Sequence, residues 1–473
     1  MVHPGNPRVA VVGGGISGLA AAHRLRVLLG PAASVTLLEQ RARLGGVLHT
    51  VGLAGVPFDV GAEAFLVRRP EVLALAAELG LGTEVVHPGP AAPSVRAGGR
   101  TVPLPAGTLL GVPGSAARLD GLLSPAGLAA AAGERTRPLT WEPGSDVALG
   151  GLLRERFGDE VADRLADPLL GGVYAGRVDG LGLRATVPAL AAALDAGAAS
   201  LTAAADAALA APRPPAGSPD RPVFGAFRGG YRVLLDALAA AAAADVRLGT
   251  TVRALHRLDT GWRLVIGPAT APEALDVDAV VLAVPAPAAA RLLADVAPAA
   301  AGAAAQIELA SSAVVALAYR AADTRDLPAT SGVLVAADEP LAVKAVTHST
   351  TKWGHLDPDG LVRLRASLGR HGEVAALQVD DAELVARVRA DLATLAGVRA
   401  DPVAVHVQRW GGGLPQYGVG HPERVRALEA GLPAGLAVAG AALHGVGVPA
   451  CVATARAAAE RVAGLLPTAH PHR

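Results

Sequence analysis

Residues 8–25 read Arg8-Val-Ala-Val-Val-Gly-Gly-Gly-Ile-Ser-Gly-Leu-Ala-Ala-Ala-His-Arg-Leu25, and the fold follows from this stretch. Val9, Val11 and Val12 make a short β-branched run that reads as a buried strand. Gly13, Gly15 and Gly18 then fit G-x-G-x-x-G, with Gly14, Ile16 and Ser17 completing the bend. The first glycine allows the tight turn, the second a close pyrophosphate, and the third close packing of helix on strand. A helix from Ile16 to about Leu29 points its N–H groups at that pyrophosphate, and Gly30-Pro31 stops it. A second strand, Ser34 to Leu38, ends at Glu39, about 20 residues beyond the last glycine, where a carboxylate grips a ribose hydroxyl. The spacing predicts a dinucleotide-binding α/β unit.

The residues after Glu39 are Gln40-Arg41-Ala42-Arg43-Leu44-Gly45-Gly46. This Arg-Leu-Gly-Gly run resembles the FAD-binding families of the amine oxidase type. There the glycines let the chain pass close to an extended FAD and an Arg lies near the phosphates. The resemblance implies non-covalent FAD rather than NAD, one per chain.

With 473 residues, two or three lobes are expected rather than one core. The 42 basic and 42 acidic residues cancel, which argues against a nucleic-acid partner. Only Lys344 and Lys352 are lysines; that bias, with abundant Ala, Gly, Pro and Val, points to a GC-rich genome. One cysteine, Cys451, leaves no internal disulfide and no Cys-based metal site. No secretory signal and no charge-free window of about 20 apolar residues is visible, so a cytoplasmic location is expected. Loose contact with the inner face of a membrane stays open, as does the oligomeric state.

Along the chain, Phe58–Pro70 contains a second small-residue turn, Gly61-Ala62-Glu63-Ala64. Helices are expected over Glu71–Leu81, Val147–Phe157, Val161–Leu169, Tyr231–Ala244, Ala382–Leu395 and Val452–Leu465, and a hairpin through Gly98-Gly99. Residues 107–215 look like an inserted helical lobe closed by the Pro-rich linker 212–219. Alternating strands are expected to dominate from Pro287 to about Val405. The expected fold is a discontinuous Rossmann-type FAD domain (1–90, 216–286, 406–473). A sheet-based substrate domain (91–106, 287–405) and the helical lobe complete it. The tail around His470 is expected to be disordered.

Three further segments carry a more specific resemblance. Leu170-Gly-Gly-Val-Tyr-Ala-Gly176 with Leu183-Arg-Ala-Thr-Val-Pro188 resembles a stretch of the oxygen-dependent porphyrinogen oxidases, which make protoporphyrin or coproporphyrin. Trp410…Pro415-Gln-Tyr-Gly-Val-Gly-His421 resembles that family's W-x-x-x-x-P-Q-Y-x-V-G-H. Ala439–Cys451, with Gly445-Val-Gly-Val-Pro449, resembles its carboxy-terminal FAD motif beside the isoalloxazine ring. The motif order is intact over nearly the whole chain. Ala450, Ala455 and Gly182 replace the Asp, Gly and Ser that many members carry, small-residue changes expected to tune packing. Gly61–Leu66 is nearer to the Gram-positive bacterial members, which oxidise coproporphyrinogen III before iron insertion.

The resemblance implies a six-electron oxidation of a porphyrinogen, with O2 as acceptor and H2O2 as product, in haem biosynthesis. Each of its two-electron steps moves a hydride from a meso carbon to flavin N5, so no catalytic side chain is assigned. Besides the first loop, cofactor contacts are expected from Glu39, Gln40, Arg43, Gly45, Gly46, Gly61–Ala64, Val252, Trp410, Gly440 and Val446–Val448. Substrate contacts are expected from Gly172, Val173 and Tyr174, a glycine carbonyl accepting pyrrole N–H groups; a helix–helix turn without ligand is the alternative. Arg68 and Arg69 fit propionates as well as they fit a solvated helix start. Trp410 reads as flavin packing or plain core. Lys352 reads as a surface residue, although amine oxidases hold a water at N5 with a lysine. Cys451 reads as buried and structural, with slight acidification at the helix start as the alternative. His421 and His444 lack metal-ligand spacing. Pathway analogy adds a hand-over of product to a ferrochelatase. Protoporphyrinogen IX oxidation, an amine oxidase on the same scaffold and a non-catalytic FAD protein are the competing readings.

Overall fold

The computed structural model describes residues 6–210 and 222–466; the Pro-rich linker and the carboxy-terminal tail lie outside them. β1 (Arg8–Val12), α1 (Ile16–Leu29) and β2 (Ser34–Leu38) form where the sequence places them. β1 lies between β2 and Ala279–Leu282 in a five-stranded parallel sheet that Asp245–Arg247 and Leu436–Val438 complete at its edges. Counted along the chain, the strand order is 3-2-1-4-5, so the switch point falls beside β1, where such sheets bind ligands. Both faces of the sheet are covered: Val9 and Val11 pack into one core, Ala10 and Val12 into another. That double burial explains why the strand is apolar throughout rather than alternating. α1 is also buried on most sides, held by the small side chains of Val448–Ala463.

The second body is a seven-stranded sheet in the order Ala404–Pro415, Leu309–Arg320, Leu361–Leu368, Val343–His348, Gly332–Val335, Pro93–Ala97, Arg100–Pro103. Its last two strands are the hairpin read from Gly98-Gly99, both glycines at positive φ. Leu364, Ala366 and Leu368 pack under the helix Asp381–Ala396. The alternate residues Arg363 and Arg365 therefore point to the opposite face, toward the nucleotide domain. Residues 107–210 are mostly helical around one core of their own.

Three boundaries differ from the sequence reading. Residues 286–305 form two helices, Ala286–Leu293 and Pro298–Ala305, that pack on the nucleotide sheet rather than extending the strand region. Their Ala runs carry no alternation, and Pro at the first turn starts each of them. Ala404–Pro415 pairs with Leu309–Arg320, so this segment belongs to the second sheet. The final helix begins at Val448, four residues earlier than its periodicity suggests, because Pro449 is compatible with a first turn.

Candidate active site

The glycine loop is shaped by contacts that leave no room for side chains. Gly13 has φ +106°, and a Cβ there would meet the Ala283 carbonyl at 2.3 Å. A Cβ on Gly18 would lie 1.8 Å from the Gly13 carbonyl, so α1 can approach β1 only with glycine at this point. The second glycine pair has a reason of its own: Gly45 N–H donates to the Gly14 carbonyl at 2.8 Å. A Cβ on Gly46 would come within 3.1 Å of Gly15 Cα. The pair thus lets the two loops touch.

Together they wall a trough of about 1340 Å³, its open mouth included, at the carboxyl end of the parallel sheet. Gly13, Gly15, Ile16, Ser17, Glu39, Gln40, Gly45 and Gly46 line it, with Val252, Trp410 and Gly440 further along. Glu39 is buried, and its two carboxylate oxygens accept from Gly14 N–H at 2.7 Å and Arg41 N–H at 2.8 Å. These two bonds fix the carboxylate and leave lone pairs for a ribose diol. The N-terminus of α1 opens into the trough with no acidic residue in its first turn, as an anionic pyrophosphate requires. The residues present fit an extended dinucleotide.

Arg43 behaves differently from the expectation. Its guanidinium donates to the carbonyls of Leu44, Leu48 and Gly46 at 2.8–3.2 Å and lies over the Trp410 ring at 6.0 Å. It braces the glycine pair, and the arginines that line the trough are Arg41 and Arg291. Trp410 donates its indole N–H to the Val60 carbonyl at 3.0 Å, tying trough wall to the Gly61 turn. Arg365 donates to the Gly61 carbonyl at 2.6 Å. Glu63 pairs with Lys352, whose side chain is 19% exposed. Lys352 is therefore not a free surface charge. Beside them Asp59 is buried, accepting from Thr50 and from Tyr231 N–H; burial pushes its carboxyl up to about 7.

The carboxy-terminal turn is held by Tyr417, which packs against the core of the helical lobe. Tyr417 donates to the Ala441 carbonyl at 2.6 Å and accepts from Gly445 N–H at 2.8 Å. Its ring stacks on His421 at 3.8 Å and tilts against Tyr174 at 5.3 Å. His421 donates from Nε2 to Leu443 at 3.1 Å, and burial lowers its imidazole to about 4. This column fixes the turn Gly445-Val446-Gly447 and the helix start at Val448 relative to Tyr174. Cys451, inside that helix, is buried, and burial pushes its thiol up to about 11. The helix start therefore does not acidify it. His444 pairs with Glu429 on the surface.

Gly172, Val173 and Tyr174 form the last turn of the helix Asp167–Tyr174, which follows a π-turn at Ala162–Ala166. Ala175 closes it at φ +51°. Tyr174 is buried, while Gly172 and Val173 are exposed. The carbonyls of a helix's last turn have no partner within the helix. The Gly172 carbonyl accepts no hydrogen bond among the described residues, whereas that of Tyr174 accepts from Gln416 at 2.7 Å.

Arg68 and Arg69 lie apart from this helix. Arg68 is exposed. Arg69 pairs with Glu71 at 2.5 Å and lines a different cavity with Glu429, His444 and Arg461. The charged residues that do adjoin the Gly172 helix are Asp167, Arg177, Lys344, Arg365, Arg370 and Glu373. None of them stands out in the local sequence except Lys344, one of two lysines. In a chain that otherwise uses arginine, both lysines are at least four-fifths buried near the site. Lysine scarcity was the available signal.

A dinucleotide trough, a second glycine pair and a carboxy-terminal turn against a substrate-side sheet define a flavin-dependent oxidoreductase. A family model described as flavin containing amine oxidoreductase matches residues 16–463, and the chain belongs to that family. Among curated relatives, coproporphyrinogen III oxidase of Mycobacterium tuberculosis is 48% identical over 445 residues, covering 94% of this chain and 95% of the relative. Human protoporphyrinogen oxidase is 30% identical over 499 residues, covering 97% and 99%. A crystal structure from Exiguobacterium sp. 255-15, provisionally described as a protoporphyrinogen oxidase, superposes with TM-score 0.82 at 30% identity, covering 97% and 99%. The enzyme is an FAD-dependent oxidoreductase. Among the described residues no helix is long and apolar enough to cross a membrane.

Proposed function

We propose that this enzyme oxidises coproporphyrinogen III to coproporphyrin III, removing six electrons and passing them to O2 with formation of H2O2. The observation that carries the reading is the 48% identity to the mycobacterial coproporphyrinogen III oxidase across 94% of the chain. FAD bound in the trough supplies a two-electron acceptor, so the polypeptide has to hold one meso carbon in place and keep the site dry. The Gly172 carbonyl, at the negative end of its helix, accepts pyrrole N–H groups. Tyr174, Tyr417 and His421 hold that helix end against the carboxy-terminal turn. Arg365 and Trp410 hold the Gly61 turn and the strand behind it. The product, a tetracarboxylate porphyrin, passes next to an iron-inserting ferrochelatase.

Aerobic incubation of the FAD-loaded protein with coproporphyrinogen III or protoporphyrinogen IX, following porphyrin fluorescence, tests the assignment. The expected result is faster turnover of coproporphyrinogen III. Faster turnover of protoporphyrinogen IX reverses the substrate, and no acceleration of either removes the porphyrinogen reading.

A further inference from the structure

Arg370 is 8% exposed, yet its guanidinium makes no hydrogen bond with any described residue. Its nearest acids are Asp167 and Glu373, each at 4.0 Å, too far for a hydrogen bond. Five N–H donors are thus left without protein acceptors in a residue that is mostly covered. Lys344, 7% exposed, donates only to the Gly369 carbonyl at 2.9 Å, leaving two of its three ammonium donors free. Arg365 commits one donor to Gly61. Arg177 pairs with Glu373 at 2.7 Å and approaches Asp167 at 3.8 Å. Arg177, Arg370 and Lys344 therefore share two carboxylates, while Arg365 also faces Glu63 and Asp59.

Burying cations without partners is costly, and two of these are arginine and lysine facing each other across one strand end. Arg370 and Arg365 both oppose the charge on Lys344, while Glu373 favours it. Such a cluster is satisfied by an incoming anion. Its position says which: Asp167 opens the helix that ends at Gly172-Val173-Tyr174, and His371 N–H, next to Arg370, donates to the Ala175 carbonyl at 2.6 Å. At the other end Arg365 touches the Gly61 turn.

We infer that Arg370 and Lys344 form a carboxylate subsite that holds propionates of the tetrapyrrole while its ring lies against the Gly172 helix. This rests on the porphyrinogen reading and assigns the specificity for a many-carboxylate substrate to side chains other than Arg68 and Arg69. Arg370 supplies a fork to one carboxylate, and Lys344 a point charge to the same or the next one. Both are positioning residues for the substrate and take no part in the electron transfer.

The test uses FAD-loaded Arg370→Met, Arg370→Lys and Lys344→Met. KM for coproporphyrinogen III is expected to rise about tenfold or more in the two Met variants, exceeding any fall in kcat, with FAD content unchanged. Arg370→Lys recovers part of the loss, and the KM for two-carboxylate protoporphyrinogen IX rises less. Unchanged KM in folded, FAD-loaded Met variants overturns the subsite. If Arg370→Met does not fold, Lys344→Met, which strips no acid of its partner, decides alone. Should the wild type oxidise neither porphyrinogen, titration with coproporphyrin III against its tetramethyl ester tests the subsite separately. Binding that needs both free carboxylates and Lys344 supports it, and equal binding of acid and ester overturns it.

Discussion

The cofactor trough and the proposed substrate cleft are built from opposite materials. The trough is made of backbone: Gly13, Gly18, Gly45 and Gly46 matter for the side chains they lack, and its N–H groups come from contiguous residues. The cleft is made of long charged side chains drawn from a helix, two strands and a loop. A backbone site tolerates no added atoms but depends little on pH. A side-chain site tolerates substitution, and it carries uncompensated charge that stays costly until a ligand arrives.

Each half of that contrast can be broken. The largest effect is expected at Gly18→Ala, whose Cβ would sit 1.8 Å from the Gly13 carbonyl. Forcing helix from strand costs about 3 kcal/mol, and the purified protein should lack the flavin absorbance near 450 nm (about one FAD per chain is expected in the wild type). A yellow, fully loaded Gly18→Ala protein would show that the loop yields more than a backbone site should.

The next effect belongs to the cleft and has the opposite sign. Burial, with Arg370 and Arg365 nearby, lowers Lys344 from 10.5 to about 7. Between those two values the unfolded chain holds a proton that the folded protein does not, so the wild type gains stability as pH rises through that window. Lys344→Met removes this penalty. The variant should unfold at higher temperature than the wild type near pH 7, by an amount on the order of a few kcal/mol. The advantage should shrink toward pH 10. A difference in melting temperature that is flat with pH would refute it.

The smallest effect is at the seam. Tyr417→Phe leaves Gly445 N–H and the Ala441 carbonyl without their shared hydroxyl, a loss of about 1 kcal/mol. Urea midpoints of the FAD-loaded protein should fall slightly, and flavin retention with them. An unchanged midpoint would mean the turn is held by Gly440 and Thr454 instead.

The same contrast explains how much could be read in advance. A backbone site is written locally: the spacing of Gly13, Gly15 and Gly18, then Glu39 and the second pair, needs no knowledge of distant contacts. The strand–helix–strand unit followed from that run, whereas the order 3-2-1-4-5 rests on strands as distant as Leu436–Val438. Asp167, Lys344, Arg365 and Arg370 become neighbours only through the pairing of strands and the docking of the lobe, so no window of sequence contains them. Arg68 and Arg69 drew attention because they are adjacent and basic, yet Arg69 is spent on Glu71. Arg43 was read as a cofactor contact from the resemblance of its Arg-Leu-Gly-Gly run, and its donors go to three carbonyls. Gly172–Tyr174 was legible as a motif, though its shape as a helix end depended on the π-turn before it.

The strand Ala404–Pro415 is the edge of the seven-stranded sheet over one part of its length and the wall of the trough over another. One strand therefore serves two compartments, with a bulge at Gly411–Gly413 where it meets the trough and Gly412 at φ +60°. The bond from Trp410 to Val60 ties the trough end of that strand to the Gly61 turn. The proposed reaction repeats a two-electron step on one ring, and each step needs the ring and the cofactor in the same relative position. A strand shared by the sheet and the trough keeps both walls in one register.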